Sequence, residues 1–344
     1  MGDGGAGEAA DAGAGAATDA WERAAEALRQ AGLPSWSLTG RRVLSGGTYN
    51  AVEELTLADG SRYVLKVPPP RAVPALAYER QLLISEAEFY RQAATVGVPA
   101  PSPVGDHRDG HLLMTHCPGE PWADLPENEH GPLRKELGRL VARLHRVAGP
   151  GFGYPSGALG PLAPDWRTAF TGMYEAILDD ARGYRAWLPH PVDEVAGIAR
   201  AAFGALEEVT VPRLVHFDLW RGNILVERAE PGPRIGGLID GERMFWGDPL
   251  ADFVSLALLG DIRRDTDFLT GYQEGGGTYA FEDAPRQRLA LYRSYLYLIM
   301  LVETVPRASG DERVAWVREV VAPQLTAALD EVGRGANAPA DKGP

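Results

Sequence analysis

The chain has 344 residues, 45% of them hydrophobic, so it can bury a substantial core, and its length suggests two domains or two lobes that share one cleft. Lys and Arg number 34 against 47 Asp and Glu, and the net charge of -13 argues against nucleic acid as a partner while favouring neutral or cationic ligands. The single cysteine, Cys117, excludes an intramolecular disulfide and an all-cysteine metal site, which is typical of a reducing compartment and predicts a cytoplasmic location.

Both ends of the chain have the composition of disordered tails. Residues 1–18 are rich in Gly, Ala and acidic side chains, without the basic start or apolar run of a signal peptide or membrane anchor. Residues 333–344 repeat the Gly, Ala and Pro bias. The most apolar later stretch, 296–302, is too short to cross a bilayer. We therefore expect ordered structure over 19–332 and no membrane partner.

Between the tails, the hydrophobic period changes along the chain. The pattern first predicts a helix from Asp19 to about Gly32, and then strands over 51–57 and 62–67 joined by an Asp59-Gly60 turn. A helix over about 74–95 follows, and after it come short extended pieces near 104 and over 111–115. From about 118 onward the pattern is mostly helical. This order predicts an α+β fold with a small N-terminal antiparallel-sheet lobe over 19–117 and a larger, mainly helical C-terminal lobe over 118–332.

The residues with the clearest chemistry interrupt the helical half. His216, Asp218, Leu219 and Asn223 have the spacing of a kinase catalytic loop, in which only the Arg that follows the His is missing. Such a loop needs an Asp that orients an attacking hydroxyl and accepts its proton, and an Asn that holds a magnesium ion beside the phosphates. The sequence therefore predicts Asp218 as the catalytic base and Asn223 as a metal ligand.

A hairpin follows the loop and ends in a second acidic motif. Strands are predicted over 224–227 and 235–239, and they lead into Asp240-Gly241-Glu242. This places a carboxylate where a kinase holds magnesium, with a glycine that permits a sharp turn. We predict Asp240 as a metal ligand and leave open whether Glu242 assists the metal or faces the substrate.

The N-terminal half offers a candidate phosphate clamp. Ser45, Gly46 and Gly47 lie between strands, where adjacent glycines let backbone N–H groups approach phosphate oxygens. Lys66 ends a strand that we take as an edge strand, where a lysine is usually a solubilising charge. Its position before the two acidic motifs nevertheless predicts that its ammonium contacts the α- and β-phosphates.

A lysine in this role needs a carboxylate partner on the next helix. The candidates are Glu79, Glu86 and Glu88, and the helical phase does not decide between Glu86 and Glu88.

Taken together, these motifs resemble the aminoglycoside phosphotransferase family over nearly all of residues 41–328. The matching segments are Leu44-Ser45-Gly46-Gly47 with Asn50, Tyr63-Val64-Leu65-Lys66, Glu86-Ala87-Glu88-Phe89-Tyr90, 98–101, 112–114, 140–145, the catalytic loop, Ile239-Asp240-Gly241-Glu242 and 247–253. The Asp218-Leu219-Trp220 form of the loop is similar to that of fructosamine kinases.

The resemblance implies a two-lobed, protein-kinase-like fold, ATP or GTP as the phosphoryl donor, and two magnesium ions. It also implies Glu86 as the partner of the lysine and Asp252 as a brace for the catalytic loop. The segment with Met114, Thr115 and Cys117 would form the hinge against which the adenine lies.

The acceptor is a small-molecule hydroxyl whose identity the residues leave open. The side chains expected to line its site are Glu242, Trp166, Tyr174, Asp265, Asp267 and Glu303. Acidic residues would suit a polyamine sugar and aromatic residues a nucleoside or macrolide. We therefore place antibiotic inactivation or self-resistance first, and a metabolic kinase of a sugar-amine or amino alcohol, similar to fructosamine, homoserine or choline kinases, second. The quaternary structure is expected to be a monomer or a homodimer.

Two other classes are weaker interpretations. A protein kinase would carry Asp-Phe-Gly and Ala-Pro-Glu motifs after the loop, and the sequence has neither there. A catalytically inactive nucleotide-binding module would be expected to lack one of Lys66, Asp218, Asn223 or Asp240, and all four are present.

Overall fold

The computed structural model describes residues 5–44, 49–105, 110–122, 130–228, 230 and 232–336, with side chains from 18 to 335. The predicted phosphate loop of Ser45, Gly46 and Gly47 lies outside these residues. The chain forms two compact units, one of residues 1–70 with 101–116 and the other of residues 71–100 with 117–344.

The smaller unit is a helix and a four-stranded antiparallel sheet. Its elements are α1 (Gly5–Gln30), β1 (Leu38–Val43), β2 (Ala51–Leu57), β3 (Arg62–Val67) and β4 (Leu112–Thr115), with the strands in the order β1-β2-β3-β4. The turn between β2 and β3 uses Gly60 at φ +85°, and the Asp59 carboxylate accepts the Ser61 N–H at 2.9 Å. Apolar side chains of α1, including Ala24 and Leu28, pack into the core of this unit with Leu55 and Leu65 of the sheet.

Helix α1 begins at Gly5, so it includes most of the segment expected to be a disordered tail over 1–18. Alanine, which is frequent in this segment, has the highest helix propensity, and the compositional argument gave that preference too little weight. At the other end, α10 extends to Ala336, a few residues into the predicted C-terminal tail.

The larger unit is mainly helical. Its helices are α2 (Leu82–Thr95), α3 (His130–Leu144), α4 (Trp166–Gly183), α5 (Val192–Ala202), α6 (Asp252–Leu256), α7 (Thr266–Glu274), α8 (Asp283–Val302), α9 (Asp311–Trp316) and α10 (Ala322–Ala336), and its strands are β5 (Glu120–Pro121), β6 (Arg213–Val215), β7 (Ile224–Glu227), β8 (Arg234–Leu238) and β9 (Phe245–Gly247). The strands form two small sheets, β5-β7-β8 and β6-β9. A π-helical turn over Val317–Val321 separates α9 from α10.

The predicted α+β fold, with a small antiparallel-sheet lobe and a larger helical lobe, is confirmed. The predicted lobe division treated residues 71–100 as part of the N-terminal lobe, whereas this segment, with α2, clusters with the helical unit. Buried Phe89 and Tyr90 of α2 explain the difference, because both contact catalytic-loop or Asp240-turn residues of that unit. Within the described ranges, none of the helices combines the length and apolar character needed to cross a bilayer.

Candidate active site

The predicted catalytic loop begins where β6 ends, and its backbone is held by one buried carboxylate. The Asp252 side chain is 0% exposed and accepts the backbone N–H groups of His216 at 3.0 Å and Phe217 at 2.7 Å. Phe217 has φ +64°, a conformation that a bulky non-glycine residue adopts only when its surroundings impose it. Asp252 therefore holds the loop in a strained shape immediately before Asp218.

Asp252 is itself held by a buried histidine. The Nε2 atom of His145 lies 2.9 Å from the Asp252 carboxylate, and its Nδ1 atom lies 2.8 Å from the Tyr272 hydroxyl. The tyrosine hydroxyl can donate to Nδ1, which leaves Nε2 to donate to the carboxylate. His145 therefore joins the loop-holding carboxylate to Tyr272 of α7.

His216 and Asn223 set the position of Asp218 from its two sides. The Nδ1 atom of His216 accepts the Asp218 N–H at 3.2 Å, and its Nε2–H donates to the Ile239 carbonyl at 3.0 Å. Burial lowers the pKa of His216, against the opposing effect of Asp252, so the ring is neutral, as these two bonds require. The Asn223 side-chain amide donates to the Asp218 carbonyl at 2.9 Å. The structure thus brings the predicted base and one predicted metal ligand together.

The Asp218 carboxylate retains room for a reacting group. Its side chain is 20% exposed, and Arg243 Nε lies 3.9 Å from Oδ2, too far for a hydrogen bond. Burial raises the pKa of Asp218, and the Arg243 guanidinium opposes that rise. The lone pairs of Asp218 are therefore not taken up by the arginine that stabilises its charge.

Sequence reasoning missed Arg243. Its only sequence signal was a basic residue three positions after Asp240, on the same turn. Arg243 also donates to Glu303 at 2.9 Å, and Glu303 lies 3.2 Å from Arg307. Glu303, predicted as substrate lining, is thus a buried member of an ion-pair network that reaches Asp218 through Arg243.

Three carboxylates lie close together at the turn that follows β8. Glu86 of α2, Asp240 and Glu242 each place one oxygen so that these atoms all lie within 4.8 Å of one another. Carboxylate oxygens in such an arrangement suit a hard divalent cation such as magnesium. Glu86, predicted as the partner of a lysine, and Glu242, whose role was left open, therefore both lie next to the predicted metal ligand Asp240.

The approach of α2 to this turn requires the glycine of the Asp240-Gly241-Glu242 motif. A Cβ atom at Gly241 would lie 2.5 Å from the Phe89 ring. The same ring meets the His216 ring edge-to-face, with centroids 4.6 Å apart. Phe89 therefore packs against both the catalytic loop and the acidic turn.

The remaining nucleotide-site candidates are Lys66 and the predicted hinge segment. Lys66 of β3 is 6% exposed and pairs with Val52 of β2 and Leu112 of β4, so its strand is central and the expectation of an edge strand was wrong. A lysine is buried in this way only when its charge is compensated, which favours a functional role over a solubilising one.

The predicted adenine hinge lies where the chain passes between units. Met114 and Thr115 belong to β4, and Cys117 is the first residue of the larger unit after the crossing. Met114 and Cys117 are buried, and burial raises the pKa of the Cys117 thiol to about 11. The hinge role of this segment stays a prediction.

Two aromatic residues predicted to line the substrate site are core residues. Trp166 and Tyr174 are both 0% exposed. The Trp166 indole N–H donates to the Tyr292 hydroxyl at 2.7 Å, and the Tyr174 hydroxyl lies 2.9 Å from the Ser294 hydroxyl. They offer no surface to a ligand, because this part of the chain buries a cluster of aromatic rings.

Two of the predicted acidic lining residues lie on α7. Asp265 caps this helix by accepting the Phe268 N–H at 3.0 Å, and it also accepts a hydrogen bond from Arg134 at 2.6 Å. Asp267 is exposed in the first turn of the same helix. Their placement is explained by helix capping and helix-dipole stabilisation.

Comparison with known proteins relates this arrangement to phosphoryl transfer. Residues 40–292 match the model of the phosphotransferase enzyme family. A probable ketoamine kinase of Lactiplantibacillus plantarum is 25% identical over 283 residues, which cover 79% of this chain and 91% of the relative. A probable ketoamine kinase of Vibrio vulnificus is 23% identical over 74% of this chain and 84% of the relative.

Solved structures show the same fold. A candidate fructosamine-3-kinase from Thermobifida fusca superposes with a TM-score of 0.64 at 22% identity, covering 91% of this chain and 97% of that chain. The aminoglycoside phosphotransferase APH(4)-Ia superposes with a TM-score of 0.58 at 19% identity, covering 86% of this chain and 94% of that chain.

Proposed function

Because the chain belongs to the phosphotransferase enzyme family, we propose that it transfers the γ-phosphoryl group of ATP to a hydroxyl of a ketoamine, a sugar joined to an amine. The observation that carries the proposal is the Asp218 carboxylate, held beside Asn223 and the carboxylate cluster while its lone pairs stay available. The curated relatives are named ketoamine kinases, which favours the sugar-amine alternative over antibiotic inactivation.

Asp218 would act on the acceptor hydroxyl. As the hydroxyl oxygen attacks the γ-phosphorus, its O–H proton passes to the Asp218 carboxylate, and the bond from the γ-phosphorus to the bridging oxygen of ADP breaks. Burial raises the pKa of Asp218, and the Arg243 guanidinium, 3.9 Å away, opposes that rise and so favours the charged carboxylate that can accept a proton. Asp252 and His216 keep the loop rigid, so Asp218 does not have to reorganise during the transfer.

The residues present fit a magnesium ion. Asp240 and Asn223 would hold it, and Glu242 lies close enough to assist, since its oxygen is within 4.8 Å of an Asp240 oxygen. When bound, the ion neutralises charge on the phosphate oxygens. Lys66 is our candidate for contacting the α- and β-phosphates, with Met114, Thr115 and Cys117 beside the adenine.

The acceptor chemistry follows from the groups around Asp218. The Asp218 carboxylate and the nearby carboxylates of Asp240 and Glu242 suit an acceptor that carries a protonated amine. Trp220, two residues after Asp218, is 44% exposed, and a flat apolar face of this kind suits the ring of a sugar. Both features are compatible with a ketoamine.

The test is an ADP-release assay with the wild-type protein and Asp218→Asn. Ketoamines such as fructosyl-amines are compared with aminoglycosides, macrolides and choline-like alcohols as acceptors. We expect the highest kcat/KM with a ketoamine, and a loss of about 100- to 10,000-fold in Asp218→Asn with little change in ATP affinity by calorimetry. Turnover only with an antibiotic would refute the ketoamine assignment, and unchanged turnover in Asp218→Asn would refute the role of Asp218.

A further inference from the structure

We propose that Tyr90 of α2 is a positioning residue that fixes the acidic turn at Asp240 to α2 and thereby sets the geometry of the carboxylate cluster. Its hydroxyl donates to Glu86 Oε1 at 2.6 Å and accepts the Asp240 backbone N–H at 3.0 Å. Tyr90 is 1% exposed, so both bonds lie in a protein environment. The inference rests on the proposed function, in which Asp240 is a metal ligand.

The Asp240 turn needs such a support. Asp240 has φ +62°, a left-handed conformation that is uncommon for a residue other than glycine. The residue before it, Ile239, has both backbone groups engaged, because its N–H donates to the Asn223 carbonyl at 3.0 Å and its carbonyl accepts from His216. The Asp240 N–H is the next donor after these contacts, and leaving a part-buried backbone donor without an acceptor costs free energy. Tyr90 supplies the acceptor.

The direction of the two bonds makes the hydroxyl a link between two members of the cluster. A phenol has one proton to donate, and the Asp240 N–H has no acceptor capacity, so the proton of Tyr90 is directed to Glu86. One oxygen atom thus contacts the side chain of Glu86 and the backbone of Asp240. The separation between Glu86 and Asp240 therefore depends on the Tyr90 hydroxyl. Both residues belong to the carboxylate cluster, whose oxygens lie within 4.8 Å of one another.

Tyr174 offers a matched control in the same unit. It is also fully buried, and its hydroxyl lies 2.9 Å from Ser294 in α8. Replacing either tyrosine with Phe removes one oxygen from a buried ring and leaves the packing of the ring intact. If Tyr90 were only a core residue with a satisfied hydroxyl, the two substitutions would have the same effects.

The experiment compares wild type, Tyr90→Phe and Tyr174→Phe by two measurements. The first is amide hydrogen exchange at Asp240 by NMR in metal-free protein, which depends on neither the substrate nor the metal. The second is the Kd for Mn2+ by EPR in the presence of ADP. We expect Tyr90→Phe to accelerate Asp240 exchange and to raise the Kd for Mn2+, each by about tenfold, the equivalent of one net hydrogen bond, with Tyr174→Phe matching wild type in both.

Unchanged Asp240 exchange in Tyr90→Phe, or the same change in Tyr174→Phe, would overturn the inference. Faster exchange with an unchanged Kd for Mn2+ would overturn it as well, because the turn would then be held for stability alone. Failure of the wild-type protein to bind Mn2+ with ADP would instead count against the proposed metal site. In that case the exchange rates still decide whether Tyr90 fixes the turn.

Discussion

Replacing Asp252 with Asn tests the support of the catalytic loop. The Asp252 carboxylate is completely buried and serves three donors, the backbone N–H groups of His216 and Phe217 and Nε2 of His145. Asn has a single acceptor oxygen and adds an NH2 group that itself donates. At least one buried donor then loses its acceptor. The hydrogen bonds that remain are weaker, because their acceptor no longer carries the negative charge of a carboxylate. We expect the free energy of unfolding to fall by about 2–5 kcal/mol.

Urea denaturation followed by circular dichroism measures this change, with exposed Asp267→Asn as the control, expected to stay within about 0.5 kcal/mol of wild type. Since Asp252 also imposes the left-handed conformation of Phe217, the folded fraction of Asp252→Asn should turn over more slowly than wild type. A loss of stability below about 1 kcal/mol together with wild-type turnover would refute the view that this carboxylate holds the loop.

Three further outcomes are expected. Asp240→Ala should abolish metal-dependent turnover, and full wild-type activity in excess chelator would contradict the metal site itself. Lys66→Ala should lower kcat/KM for ATP by roughly 100-fold in steady-state kinetics, and wild-type turnover would remove Lys66 from the site. Burial lowers the pKa of His216 in the folded protein, so as the pH falls the unfolded state binds a proton at a higher pH than the folded state does. The free energy of unfolding is therefore highest above about pH 6.5 and decreases as the pH falls below that value. The wild-type free energy of unfolding should therefore decrease more steeply between about pH 6.5 and 5 than that of His216→Gln, and parallel curves would argue against a buried neutral ring.

The elements and motifs that rest on local signals were predicted closely. Strands β2 and β3 have the predicted bounds, because alternation and an Asp-Gly turn are properties of neighbouring residues. The spacing from His216 to Asn223 is also a local signal, and hydrogen bonds from Phe217 to Asp252 and from Asn223 to Asp218 hold that segment, whose catalytic role stays a prediction.

Features that depend on long-range packing were not predicted. Lys66 was placed on an edge strand because the pairing of β4 beside β3 joins segments far apart in sequence. Trp166 and Tyr174 were taken for a ligand surface because composition does not tell a buried aromatic cluster from a site wall. Tyr90 carried a usable signal, since it lies four residues after Glu86 on one helix face, but its second contact, with Asp240, lies in a distant segment.

Phe217 and Asp240, two left-handed residues of the candidate site, differ in what replacement by glycine would cost. Glycine would relieve the backbone at either position, although the more flexible unfolded chain would offset part of that gain. At Phe217, glycine would also remove a ring that packs on Phe245 and Tyr295. At Asp240, the loss would be the carboxylate itself. A library screened only for thermal tolerance could therefore accept glycine at 240, whereas one screened for turnover should retain Asp there.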